Sequence, residues 1–131
     1  MAIEYEIIED KRLVFAKGSG VVTGNDVIRH LDTLATDERY VASMKKLVDY
    51  SSIEDITISQ EEAYRIAHMK KTLSKKFAGE RCAFVSPVDH TFGISRVHQA
   101  LIDNTDINTE VFRRIEDALE WLDVELDMNS T

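Results

Sequence analysis

One cysteine, Cys82, stands among 131 residues. It cannot close an internal disulfide, which fits a reducing compartment. Positive charge is also short: 16 Lys and Arg against 24 Asp and Glu give a net charge of −8. An acidic chain repels phosphate backbones, so nucleic acid and anionic membrane surfaces are poor partners. No stretch approaches the ~20 apolar residues of a membrane-spanning helix. The opening, MAIEYEIIEDK, is acidic and alternating, whereas a secretory signal needs a basic start and an apolar core. These absences predict a cytoplasmic protein. There is no internal repeat, low-complexity segment or linker.

What is present is globular: 44% hydrophobic and 31% charged residues. The length suits one domain over residues 1–131, large enough to fold without a disulfide or metal. Tyr5–Glu9 and Arg12–Lys17 read as two strands of a tight hairpin around Asp10-Lys11. Gly18 and Gly20 break the pattern. Thr23 then caps a helix over 24–36, with Asp26 at its positive end and Val27, Ile28, Leu31, Leu34 and Ala35 at helical spacing. Lys46–Tyr50 is a short buried-type strand, and 51–58 reads as a loop. Ser59 and Glu62 form a capping box for a second helix, with Ala63, Ile66, Ala67, Leu73 and Phe77 on one face. Its basic end, Lys70, Lys71, Lys75 and Lys76, suits the helix dipole and reads as solvated. Gly79 is placed to stop it.

Arg81–Ser86 is the next strand, and Pro87 ends it because proline cannot donate to a ladder. The loop VDHTFG leads to a third helix with Ile94, Val97, Leu101 and Ile102 inward. Residues 105–109 form a polar break. Glu110–Arg114 is a last strand, and a fourth helix carries Ile115, Ala118, Leu119 and Leu122 inward, ending near Leu126 with a frayed tail MNST. The order is a β-hairpin followed by αβαβαβα. It predicts an α/β fold with a mixed, mostly parallel sheet, its first strand antiparallel to the second.

This order, with the stretch LVDYSSIEDITISQEEAYRIA, resembles the STAS domain, the fold of SpoIIAA-like anti-anti-sigma factors and of the cytoplasmic ends of sulfate transporters. In that family a strand ends in an aspartate-containing turn, and an Asp-Ser-Ser-Gly motif opens the next helix. The first serine of the motif is phosphorylated by a partner kinase, which breaks binding. Asp49 matches the strand-end aspartate. Thr57-Ile58-Ser59-Gln60 falls at the motif, so Ile58 takes the acceptor position and Ser59 alone is kept. A one-residue shift makes Ser59 the phosphorylation site. The chain looks most like the uncharacterised bacterial SpoIIAA-like proteins. The resemblance implies a regulatory module that binds a protein partner or a small ligand.

Chemistry-bearing residues gather where such sheets bind ligands, beyond the carboxyl ends of the strands. One strand end delivers Asp49, Ser51 and Ser52. The next delivers Ser86, Asp89, His90 and Thr91, and the last delivers Arg113 and Arg114. Asp49, Ser51, Ser52, Ser86, His90 and Thr91 are the candidate ligand-binding residues. A Ser-His-Asp triad would need an exposed elbow such as G-x-S-x-G, which is missing. His30, His68, His90 and His98 lack metal-ligand spacing and read as surface or half-buried, and Cys82 has no partner cysteine, so no metal is expected. GSGVVTG carries neither a third phosphate-loop glycine nor the G-K-[ST] signature, so no cofactor is expected either.

Cys82, in an apolar strand, reads as a small hydrophobe. Trp121, Phe92, Ile94 and Met44 could line an apolar surface supporting a homodimer. The leading expectation is a non-enzymatic STAS-like module whose binding surface surrounds the starts of the second and third helices. A small enzyme using Asp49, His90 and a serine is one alternative. An apolar-ligand carrier, opening between helix and sheet, is another.

Overall fold

The computed structural model describes residues 2–103 and 105–126, with the side chains of Ser74 and Lys75 left aside. Among the described residues seven strands and five helices follow one another as β1 (Ile3–Ile8), β2 (Leu13–Gly18), β3 (Gly20–Thr23), α1 (Gly24–Ala35), β4 (Lys45–Asp49), β5 (Ile53–Thr57), α2 (Gln60–Thr72), α3 (Ser74–Phe77), β6 (Arg81–Val85), α4 (Asp89–Leu101), β7 (Asn108–Phe112) and α5 (Ile115–Leu122). Five strands form one sheet in the order β1-β2-β4-β6-β7. β1 runs antiparallel to β2, pairing Ile3 with Gly18 and Ile8 with Leu13. The other neighbours are parallel. The expected α/β architecture is therefore present, as is the antiparallel opening strand.

The alternation of side chains along the strands divides the core. Val14, Ala16, Val48 and Cys82 share one face, where Val14 meets Leu31, Leu34, Ile66 and Ala67, and Ala16, Val48 and Cys82 cluster with Val27 of α1 and Ile94 of α4. Leu13, Leu47, Ala83 and Val85 face the other way, onto Ala118 and Leu122 of α5. Cys82 is buried, as its apolar strand predicts, and burial pushes its thiol pKa up to about 11.

Several boundaries differ from the sequence reading, each for a physical reason. The hairpin connection spans 9–12 rather than two residues. Asp-Lys cannot supply the two left-handed residues of a tight turn, so the chain makes a 3-10 turn at Glu9–Lys11 and places Arg12 in the left-handed region (φ 50). The stretch read as a loop over 51–58 holds β5, which pairs in parallel with β3 as a separate two-stranded ribbon. Gly18 permits this: a Cβ there would lie 2.8 Å from Ile53 Cγ2 and 2.9 Å from the Tyr50 ring. The second helix breaks at Leu73 into α2 and α3, ahead of Gly79 (φ +70).

α4 begins at Asp89, so His90 and Thr91 lie in its first turn and not in a loop. Val97, expected inward, is exposed, whereas Met44, expected on the surface, is buried. Trp121 packs on Phe112 and under the Arg81 guanidinium, 4.2 Å from the ring centroid. Phe92 is covered in the same way by Arg113 at 4.1 Å. Trp121, Phe92 and Ile94 are half-buried. The MNST tail lies outside the described residues.

Candidate functional site

The strand-end residues find partners, but in separate local pairs. Asp49 closes β4 and accepts hydrogen bonds from the Ser51 N–H (2.9 Å) and hydroxyl (2.6 Å). Ser52 is exposed in the same turn. Ser86, fully buried after β6, shares a hydrogen bond with Ser95 of α4 at 3.1 Å. His90 turns to the ribbon: its Nε2 lies 3.0 Å from the Ile56 carbonyl and 3.6 Å from Asp55. Thr91 is buried in α4. Arg113 ties the end of β7 to the start of α4, donating to Asp89 (2.6 Å) and the Pro87 carbonyl (3.1 Å). Arg114 instead meets Glu116 at 3.5 Å. Asp49, Ser86 and His90 thus serve three different neighbours. The early start of α4 is the cause, because it aims His90 at β5.

Two caps frame the helix starts. Thr23 accepts from Asp26 N–H, and Asp26 accepts from Thr23 N–H, so Asp26 completes a capping box rather than acting through the dipole alone. Ser59 accepts from Glu62 N–H at 3.1 Å and donates its own N–H to Glu62 at 2.9 Å. Between them lies an open hollow of about 540 Å³, bordered by Thr23, Ile56, Ile58, Ser59, His90 and Ile94. A second groove of about 320 Å³ runs between α2 and α4 along Ala63, Tyr64, Ile94 and Val97.

Behind Ile58 and Ile94, which border all three spaces, a smaller chamber of about 50 Å³ lies between the sheet and α1, α2 and α4. Val27, Leu31, Val48, Ile56 and Ile66 give it apolar walls. His30, Lys46, Lys70, Ser95 and His98 interrupt them.

This polar group corrects the sequence reading. Lys70 is not part of a solvated helix end: it is buried and paired with Glu80, which also accepts from the Tyr40 hydroxyl. Burial opposes the lysine charge, yet the facing Glu80 carboxylate holds the Lys70 pKa above its ordinary value. Burial likewise opposes the Glu80 charge, but Lys70 and then Lys46 hold that carboxyl below its usual range. Lys71 is exposed, and Lys76 donates to the Asp37 carbonyl at 3.0 Å. Lys46 is 2% exposed and enters no ion pair among the described residues. Burial, then the neighbouring Lys70 charge, lowers its pKa from 10.5 to about 8.

His30 is not on a polar face. It is buried, edge-on to Tyr5, with neither ring nitrogen hydrogen-bonded. His98 stacks edge-on to Phe84 and its Nδ1 is buried without a partner. Burial lowers their pKa values to about 2 and about 3, so both are neutral near pH 7. His68 is exposed, as expected. Among the described residues no group of three or more His, Cys, Asp or Glu could hold a metal ion, and no helix is long and apolar enough to cross a membrane.

The chain matches no protein-family model and no curated protein. Among solved structures it is similar to an uncharacterised protein of the DUF3478 family from Shewanella loihica PV-4, described as having a SpoIIAA-like fold. The two share 22% identity and a TM-score of 0.58, with 92% of each chain covered.

Proposed function

We propose that this chain, which has the SpoIIAA-like fold, is a non-enzymatic binding module. It admits a small ligand to the chamber beneath α1, α2 and α4. The hollow at the three helix starts is the entrance, and Ile58 and Ile94 are the partition between them. The observation that carries this reading is a partly open space bordered by two histidines whose buried ring nitrogens (both of His30, Nδ1 of His98) have no partner among the described residues. Buried polar groups are otherwise nearly always hydrogen-bonded, so an occupant accounts for them. A binding rather than catalytic role is favoured because Asp49, Ser86 and His90 are engaged with separate neighbours. A nucleophile, base and orienter would need to share hydrogen bonds.

Xenon, an uncharged probe that enters apolar protein cavities, tests this. Saturable xenon-dependent shifts are expected in the methyl resonances of Val27, Leu31, Val48 and Ile56. They should vanish in Ile94→Trp, whose larger side chain blocks the partition. Xenon shifts confined to surface methyls would overturn the reading.

A further inference from the structure

The charges around the chamber do not balance. Lys46 and Lys70 are two buried cations, and Glu80 is the one carboxylate paired among them. Glu80 already gives one oxygen to Lys70 and the other to Tyr40. Lys46 therefore lines the chamber with no ion pair of its own among the described residues, Glu80 acting on it only from beyond ion-pair distance. A buried charge of this kind calls for one opposite charge, placed with good hydrogen bonds.

Two further residues border the same space. His30 is 95% buried, since 5% of it is exposed, and both its ring nitrogens are unpartnered. His98 adds an unpartnered Nδ1. A neutral imidazole carries one N–H donor. Apart from Ser95, the remaining walls are aliphatic or aromatic.

Size narrows the choice. A water needs ~10–15 Å³ on the scale on which the chamber offers about 50 Å³. The space suits about three to five waters, or a ligand of about as many heavy atoms.

We propose that the chamber binds a short-chain monocarboxylate. Its carboxylate accepts from Lys46 Nζ and from an imidazole N–H of His30 or His98, and its alkyl end lies against Val48 and Ile94. The single negative charge matches the one buried lysine, Lys46, that has no ion pair among the described residues. A phosphate dianion would leave surplus charge buried, and its oxygens would face apolar walls. This assignment rests on the chamber being an open binding space, as proposed above.

The test uses the full chain, with acetate and propionate as probes and acetamide and propionamide as uncharged counterparts of the same shape. Calorimetry and imidazole NMR are run in carboxylate-free buffer. For so few atoms the best Kd is on the order of tens of micromolar, and ~0.1–1 mM is expected. The amides should bind at least tenfold more weakly, and the His30 and His98 ring resonances should shift with the acids. Lys46→Met keeps the volume and removes the charge, so it should weaken acetate at least tenfold while xenon still enters. His30→Phe should weaken acetate as well. Equal binding of acid and amide, an unchanged affinity in Lys46→Met, or chloride or phosphate binding as tightly as acetate would each overturn the carboxylate assignment and leave the chamber standing. Exclusion of both acetate and xenon would remove the two readings together.

Discussion

Replacing Lys46 by methionine should make the empty protein more stable, by an amount that depends on pH. Lys46 is wholly within the core, and its pKa falls from 10.5 to about 8. A displacement of that size is worth roughly 3 kcal/mol at about 1.4 kcal/mol per tenfold. Below pH 8 the lysine is protonated in both folded and unfolded chains, and the folded state bears the whole penalty. Between pH 8 and 10.5 the folded protein releases the proton while the unfolded chain keeps it. The unfolded state then binds more protons, so stability rises with pH. Above 10.5 both states are neutral and the penalty is gone.

Cys82 works in the opposite direction. Its thiol is raised from 9.0 to about 11, which costs stability as pH climbs through that interval. Both chains contain Cys82, so the burial of its thiol cancels in the difference, and only the small lowering that Lys46 exerts on it is lost in the variant. Urea unfolding across this range, in buffers without carboxylates, should place Lys46→Met about 3 kcal/mol above the wild type at pH 7, or ~10 °C in Tm. The gap should close by pH 10.5. A variant no more stable than the wild type at pH 7, or a gap that stays flat with pH, would refute the argument that Lys46 is a buried charge whose burial outweighs the attraction of Glu80.

Three further outcomes are expected. Glu80→Gln strands Lys70 and Lys46 together and should lower stability by ~3–5 kcal/mol in urea melts; adding Lys70→Met should restore a large part of it, and an additive double variant would count against the pair. Ser59→Ala removes the side-chain half of the α2 capping box and should cost about 1 kcal/mol; no measurable change in the urea midpoint would contradict the cap. Cys82 should resist a thiol reagent in native buffer and react only on unfolding, because it is buried and its thiolate is scarce; labelling of the native protein at the rate of a free thiol would refute this.

Periodicity carried most of the fold, because most of the chain obeys it. Apolar residues at helical spacing marked α1, α2 and α5, and the caps at Thr23 and Ser59 marked where α1 and α2 begin. The ribbon β3–β5 was hidden because each strand is short and its neighbour is remote in sequence. Its clue was spatial: the missing side chain of Gly18 against Ile53 and Tyr50. The start of α4 was misjudged because Val88 makes no side-chain cap. Arg113 holds that end instead, from 24 residues away.

The buried polar cluster was legible in position and misread in kind. Lys70 sits at helical spacing from Ala63, Ile66 and Ala67. Lys46 shares a strand face with Val48, and His98 follows Ile94 by four. Each therefore lies on an apolar stripe, and each was assigned to the surface or left aside because lysine and histidine usually go there. Glu80 gave no such signal, since its partners are 10 and 40 residues away.

The cluster divides into two parts that differ in what they require. Lys70, Glu80 and Tyr40 satisfy one another, with the lysine also 4.7 Å from the centre of the Phe77 ring. That unit is complete without any ligand, and the cost of breaking it accounts for its place in the core. Lys46, His30 and His98 do not satisfy one another: a lysine and two neutral imidazoles offer donors and too little negative charge. Apolar residues of similar volume at these three positions would fold at least as well, so stability does not explain them. They line the same chamber, behind the same two isoleucines, with His98 in the last turn of α4 and Lys46 near the start of β4. An occupant that brings its own negative charge supplies what these three side chains lack, and it does so without disturbing the Lys70–Glu80 pair beside them.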